Sequence, residues 1–174
     1  MVHSVELVFD ADTEAAVRRI WDDLAEAGVR SLASSTSPSN RPHVTMAVAE
    51  HMDGAVDDAL RPLLHILPLP CTIGAPMVFG RGPFTLVRLV IPSTELLALQ
   101  AEVHDACLPH MSPGPLPHAD PGHWTPHVTL ARRVAPEKLP EALSLRRMSR
   151  DRRGTALALR HWDGNKRVEH PISP

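Results

Sequence analysis

The sequence contains no tyrosine, and beyond histidine its aromatic side chains are three tryptophans and three phenylalanines. It shows no strong basic patch either. Eighteen lysines and arginines meet twenty aspartates and glutamates, for a net charge of −2 and a pI near 6.6. A protein that coats long nucleic acid needs stacking surfaces and a strong positive field. Their absence argues against such a coat and leaves open a small phosphorylated ligand or the end of an RNA.

Cysteine is scarce. Cys71 and Cys107 stand alone, with no C-x-x-C pairing, which argues against a disulfide framework or a zinc knuckle. Two free thiols, buried or half-buried, are expected. No apolar stretch reaches the roughly 18 residues of a membrane span. The opening "MVHSVELVFD" lacks a basic segment followed by a long apolar run, so no signal peptide is expected and a cytoplasmic protein is. There is no G-x-S-x-G elbow for acyl transfer. There is no P-loop or glycine-rich dinucleotide loop, so ATP-dependent chemistry is not indicated. Heptads, solenoid repeats and charged tails are missing too.

What remains is an ordinary globular composition, 43% apolar and 22% charged. The 174 residues suffice for one domain with a real core, and no Gly/Ser linker divides them. A single domain over 1–174, acting as a monomer, is expected.

One phrase occurs twice. "RPHVTMAVAE" occupies residues 41–50, and "TPHVTLA" occupies 125–131. On a strand, residues i and i+2 point the same way. His43 and Thr45 then share one face while Val44, Met46 and Val48 take the other. His127 and Thr129 share a face opposite Val128 and Leu130. Core packing does not ask for histidine and threonine at both places.

The rest of the chain frames these strands. Alternation in "VHSVELVF" predicts a strand. Asp12 can cap a helix whose face carries Val17, Ile20, Trp21 and Leu24, with Gly28 at its end. A short strand is expected near 29–34, then a polar loop to 42. A helix over 53–66 is weakened by Pro62. Strands near 70–79 and 84–91 flank the turn "GRGP". Ser93 can cap a helix over 94–108. Residues 109–123, rich in Pro and Gly, read as a long loop. A strand follows near 124–133, a short helix near Pro136 and a hairpin turning at "DGN". The order is β-α-β-β twice, with an extra αβ ending each half. The class is α+β, two pseudo-symmetric lobes of duplicated βαββ-type units with mainly antiparallel sheets around a central cleft.

Two similar lobes facing each other bring two imidazoles and two hydroxyls into that cleft. A neutral imidazole can take a proton from water, and a protonated one can give a proton to a leaving oxygen. Such transfers contribute about 10²–10⁴-fold each. Threonine hydroxyls can bond phosphate oxygens as charge develops on them. Zinc is the competing idea for eleven histidines. His-x-Thr is not a chelating spacing, and His123 with His127 would need a helix where "GHWTPHVT" reads as a strand.

At these residues the chain resembles the 2H phosphoesterase superfamily, the group that includes the 2′-5′ RNA ligase-like proteins and cyclic phosphodiesterases. The resemblance rests on "HVT" at 43–45 and again at 127–129, supported by the duplication over nearly the whole chain. It implies His43 and His127 as acid and base, and Thr45 and Thr129 as phosphate-orienting groups. It implies opening of 2′,3′-cyclic phosphates on RNA ends or small nucleotides to give 2′-phosphates, or the reverse 2′-5′ joining. No metal or other cofactor is expected. Three flanking residues are candidates for substrate contact. Arg41 precedes the first motif and can meet a phosphate. Trp124 can stack on a base. Arg133, by alternation, shares the His127 face and is favoured over Arg132. Phe84 is expected in the core. A second reading is a binding module that keeps the cleft without turnover.

Overall fold

Alternating apolar residues make β1 (His3–Phe9), which places Val5, Leu7 and Phe9 in the core. Helix α1 (Ala11–Glu26) starts at Asp10, earlier than the Asp12 cap expected from the sequence. The Asp10 carboxylate accepts the Thr13 N–H at 2.8 Å, satisfying a donor that the first turn leaves free. Val17, Ile20, Trp21 and Leu24 form its buried stripe, as the periodicity requires. The order then runs β2 (His43–Met52), α2 (Val56–Leu60), β3 (Leu69–Phe79), β4 (Phe84–Val90), α3 (Thr94–Cys107), β5 (Met111–Pro115), β6 (His127–Val134), α4 (Leu139–Ser144), β7 (Arg152–Asp163) and β8 (Val168–Pro171). The structure, a computed structural model, describes residues 2–174.

All strand pairings are antiparallel, and their order is β1-β2-β6-β4-β3-β7-β8. Because β1 also pairs with β7, six of the strands close on themselves. The closure has a two-fold logic. In the first half β1 pairs with β2; in the second β4 pairs with β6. The last strand of each half crosses to the other, so β7 lies against β1 and β3 against β4. Two lobes result, β7-β1-β2 and β3-β4-β6. They are joined on one side by β3–β7 and on the other by a single register pair, Val44↔Val128. Helix α1 packs on β6, β7 and β1, and α3 on β2 and β3.

The α+β class with two related halves agrees with the sequence reading, but two elements differ. The strand expected at 29–34 is reduced to one bridge, Ser31↔Ala131, followed by a 3-10 turn at Leu32–Ser34. The Ser31 hydroxyl donates to the Trp21 carbonyl and accepts the Ala33 N–H, and that local bonding favours a turn over a ladder. The 109–123 segment is not an open loop. Its residues Met111–Pro115 form β5 on the free edge of β2, a position where proline is tolerated. Pro62 has the effect expected of it: α2 ends at Leu60 and a 3-10 stretch follows. Burial pushes the Cys71 thiol up to about 11 and the Cys107 thiol up to about 12, so both are inert at neutral pH.

Candidate active site

The two motifs sit on β2 and β6, the strands that meet at Val44↔Val128. Beside β2, the ladder runs His43↔Val8 and Thr45↔Glu6, then Ala47↔Val5, so Met46 is an extra residue. Beside β6 it runs His127↔Leu89 and Thr129↔Val87, then Ala131↔Leu86, so Leu130 is extra. Each His-x-Thr therefore ends on a β-bulge. A bulge adds one residue and inverts the alternation beyond it.

That inversion corrects two readings. Val48, assigned to the core face, lines the cleft, and so does Arg132. Arg133, favoured by simple alternation, is absent from the cleft wall and adopts φ 59° in the irregular end of β6. Arg41 also lies elsewhere. Its guanidinium holds Glu14 through contacts of 2.9 and 2.8 Å, and only its carbonyl serves the motif. Trp124 does line the cleft, where its indole N–H donates to the Thr45 carbonyl at 2.8 Å. Phe84 packs against the core as expected.

The cleft has a volume of about 580 Å³ and contains His43, Thr45, His127 and Thr129 together. Each imidazole is held the same way. His43 Nδ1 lies 2.7 Å from the Arg41 carbonyl, and His127 Nδ1 lies 2.7 Å from the Thr125 carbonyl. A carbonyl only accepts, so each Nδ1 carries the hydrogen and each Nε2 is left for chemistry. Among the described residues neither threonine hydroxyl has a protein hydrogen-bond partner.

The frame is symmetric, but the surroundings are not. Beside Thr45, β1 and β7 supply Glu6 and Arg160 at paired positions. At the equivalent places beside Thr129, β4 and β3 supply Val87 and Met77. Glu6 is buried. Its carboxylate accepts from Ser4 Oγ at 2.7 Å and from Arg160 at 2.8 and 2.7 Å. Its Oε1 also faces His43 Nε2 at 3.6 Å. The His127 ring instead meets the edge of Phe79, with centroids 4.9 Å apart. Burial holds His127 below the usual histidine value; the Thr125 carbonyl opposes this, and His43 and Arg132 add to it.

The sequence reading missed Glu6, Phe79 and Arg160. Glu6 had a signal: in "SVELVF" it alternates with the core residues and so faces away from them. Phe79 and Arg160 had none, because their places depend on strands crossing between halves. His118 and His123, from the segment read as a loop, also line the cleft. That segment is pinned by Gln100, whose buried amide donates to the carbonyls of Met46 and Ala119 at 3.1 and 2.8 Å. Gln100→Leu leaves both carbonyls unmet and is expected to cost about 1–3 kcal/mol. Urea unfolding measures this, and an unchanged midpoint would contradict it.

Acid lowers stability through two histidines, of which His127 lines the cleft and His3 does not. His127 has a depressed folded value, and so does buried His3, by desolvation first, against the pull of Asp163. The unfolded chain then binds protons more readily than the folded one. Stability is fully present above about pH 6.5 and falls as pH drops below it towards the folded values. A lower urea midpoint at about pH 5.5 than at about pH 7.5 is expected.

Among the described residues, no group of three or more His, Cys, Asp or Glu side chains is arranged to hold a metal ion, and no helix is long and apolar enough to cross a membrane.

Comparison with known proteins places this geometry. No curated protein sequence matches the chain. Among solved structures, TT0787 of Thermus thermophilus superposes with a TM-score of 0.60 at 14% identity, covering 99% of this chain and 96% of its own. Apo LigT of E. coli gives 0.55 at 15% identity, covering 99% and 94%. The LigT complex with 3′-AMP gives 0.52 at 14%, covering 98% and 94%. Usb1 of Kluyveromyces marxianus gives 0.53 at 10%, covering 99% and 98%. At these identities the likeness is one of fold. A family model, the 2′-5′ RNA ligase superfamily, matches residues 9–165, which include both motifs. The chain belongs to the 2′-5′ RNA ligase superfamily and has the 2H phosphoesterase fold.

Proposed function

We propose that this protein opens 2′,3′-cyclic phosphates on RNA ends or small nucleotides and leaves a 2′-phosphate. The observation that carries the reading is the pair of imidazoles with the same fixed tautomer and unlike partners. Neutral His127 takes a proton from water on Nε2 as the water oxygen bonds to phosphorus. The O3′–P bond breaks, and His43, protonated beside Glu6, gives its Nε2 proton to O3′. Thr45 and Thr129 donate to the phosphate oxygens, and Arg132 offsets the charge that grows there. With an RNA 5′-hydroxyl group in place of water, the same step with the same roles gives a 2′-5′ bond; run backwards, the roles exchange and that bond is cleaved to the cyclic phosphate. The mechanism needs no cofactor. Trp124, with its indole fixed on Thr45, offers a ring for the base. The 3′-AMP complex of LigT supports a nucleotide-sized ligand.

The test is incubation with 2′,3′-cyclic nucleotides and with a short RNA ending in a 2′,3′-cyclic phosphate, in EDTA, with products resolved as 2′- or 3′-phosphates. Turnover to the 2′-phosphate is expected. Tight binding without product would instead mark a silent binding module.

A further inference from the structure

A second charged site lies behind the sheet. Arg88 of β4 pairs with Val128 of β6. Residues directly opposite on a ladder point the same way, so Arg88 leaves the sheet on the face away from His127 and Thr129. It is 1% exposed. Its guanidinium donates to the carbonyls of Gly74, Ile73, Arg147 and Arg150 and, among the described residues, has no carboxylate partner. A buried cation without a counter-ion is unusual. By bonding the carbonyls of Arg147 and Arg150, Arg88 holds the 146–152 segment in place against α1.

The result is a pocket of about 260 Å³ lined by Arg88, Arg19, Arg146, Arg147, Arg150 and Arg152, with Asp151 the one acidic residue. Six of the chain's eighteen Lys and Arg residues thus share one hollow in a protein of net charge −2. Asp23 holds Arg147 at 2.7 Å. Among the described residues Arg19, Arg146, Arg150 and Arg152 make no ion pair. Guanidinium forks match phosphate oxygens in geometry as well as charge. The hollow lies just below the roughly 300 Å³ where drug-sized pockets begin, which suits a compact anion.

We propose that this pocket is a second anion site, separate from the cleft, for two linked or neighbouring phosphate groups. Free pyrophosphate and adjacent backbone phosphates of an RNA strand offer the same chemistry; the strand as source rests on the phosphoesterase reading.

Calorimetry of the full chain with inorganic pyrophosphate tests it. Saturable binding is expected. Arg19→Ala with Arg150→Ala should weaken it at least tenfold, while Arg132→Ala, in the cleft, should leave it unchanged. Both rim residues are exposed, so the double variant should fold. Its turnover of a cyclic mononucleotide should match wild type, which separates failure of this site from failure of the cleft. A 12-nucleotide RNA without a cyclic end that displaces pyrophosphate assigns the site to a strand, and its salt dependence should drop by about two phosphate contacts in the double variant. RNA that fails to compete assigns the site to the free anion. No saturable pyrophosphate binding, or binding lost only in Arg132→Ala, would overturn the proposal.

Discussion

His43→Ala and His127→Ala should each lose about 10²–10⁴-fold in kcat on a 2′,3′-cyclic phosphate. In the proposed mechanism the two groups act in one step, so the double variant should lose little more than either single one. Stability should move little, because both rings are only partly buried at the cleft wall and each is tied by one hydrogen bond to a carbonyl. Stopped assays with melting curves of the same preparations check this. Folded single variants that keep near wild-type turnover would remove both histidines from the mechanism.

Arg160→Leu carries the largest expected stability loss. Arg160 and Glu6 are both buried and meet through two contacts below 3 Å. Arg160 also donates to the Ser39 carbonyl and to Glu169. Removing the cation leaves a carboxylate buried without its partner, at a cost of about 3–5 kcal/mol. For a chain of this length the midpoint of thermal unfolding should fall by on the order of 10 °C. Adding Glu6→Gln should recover much of that, because the remaining amide is neutral. A loss for Arg160→Leu below about 1 kcal/mol would mean the pair is solvated and does not shape the His43 surroundings.

The sequence made the cleft quartet legible because strand periodicity is two and both motifs repeat it. His43, Thr45, His127 and Thr129 need nothing beyond that rule to share faces. Arg132 shows where the rule stops. One extra residue at Leu130 reverses the alternation, and a bulge leaves no mark in side-chain pattern that distinguishes it from regular strand. The same event at Met46 turns Val48 from core to cleft. Arg41 failed for another reason: its position beside the motif was read as direction, whereas Glu14 on α1 captures the guanidinium. β5 was hidden by its prolines, which mark loops in general but are compatible with a sheet edge. The asymmetry of the site was out of reach, because Glu6 and Arg160 become neighbours only when β7 crosses to β1. The arginine pocket was missed likewise: Arg19 and the 146–152 segment are distant in sequence, and net charge averages them away.

The central claim is that one symmetric frame holds two histidines in unlike surroundings, His127 against Phe79 and His43 facing the buried Glu6 carboxylate. The pH dependence of kcat/KM on a 2′,3′-cyclic nucleotide tests it most directly, measured in EDTA for wild type and Glu6→Gln. The account expects a bell whose ascending limb, set by His127, lies below about pH 6.5 in both proteins, because burial disfavours the imidazolium. It expects kcat/KM to fall in Glu6→Gln, where the carboxylate that faces His43 Nε2 is lost. An ascending limb above about pH 6.5, or a Glu6→Gln variant that keeps wild-type kcat/KM, would contradict it.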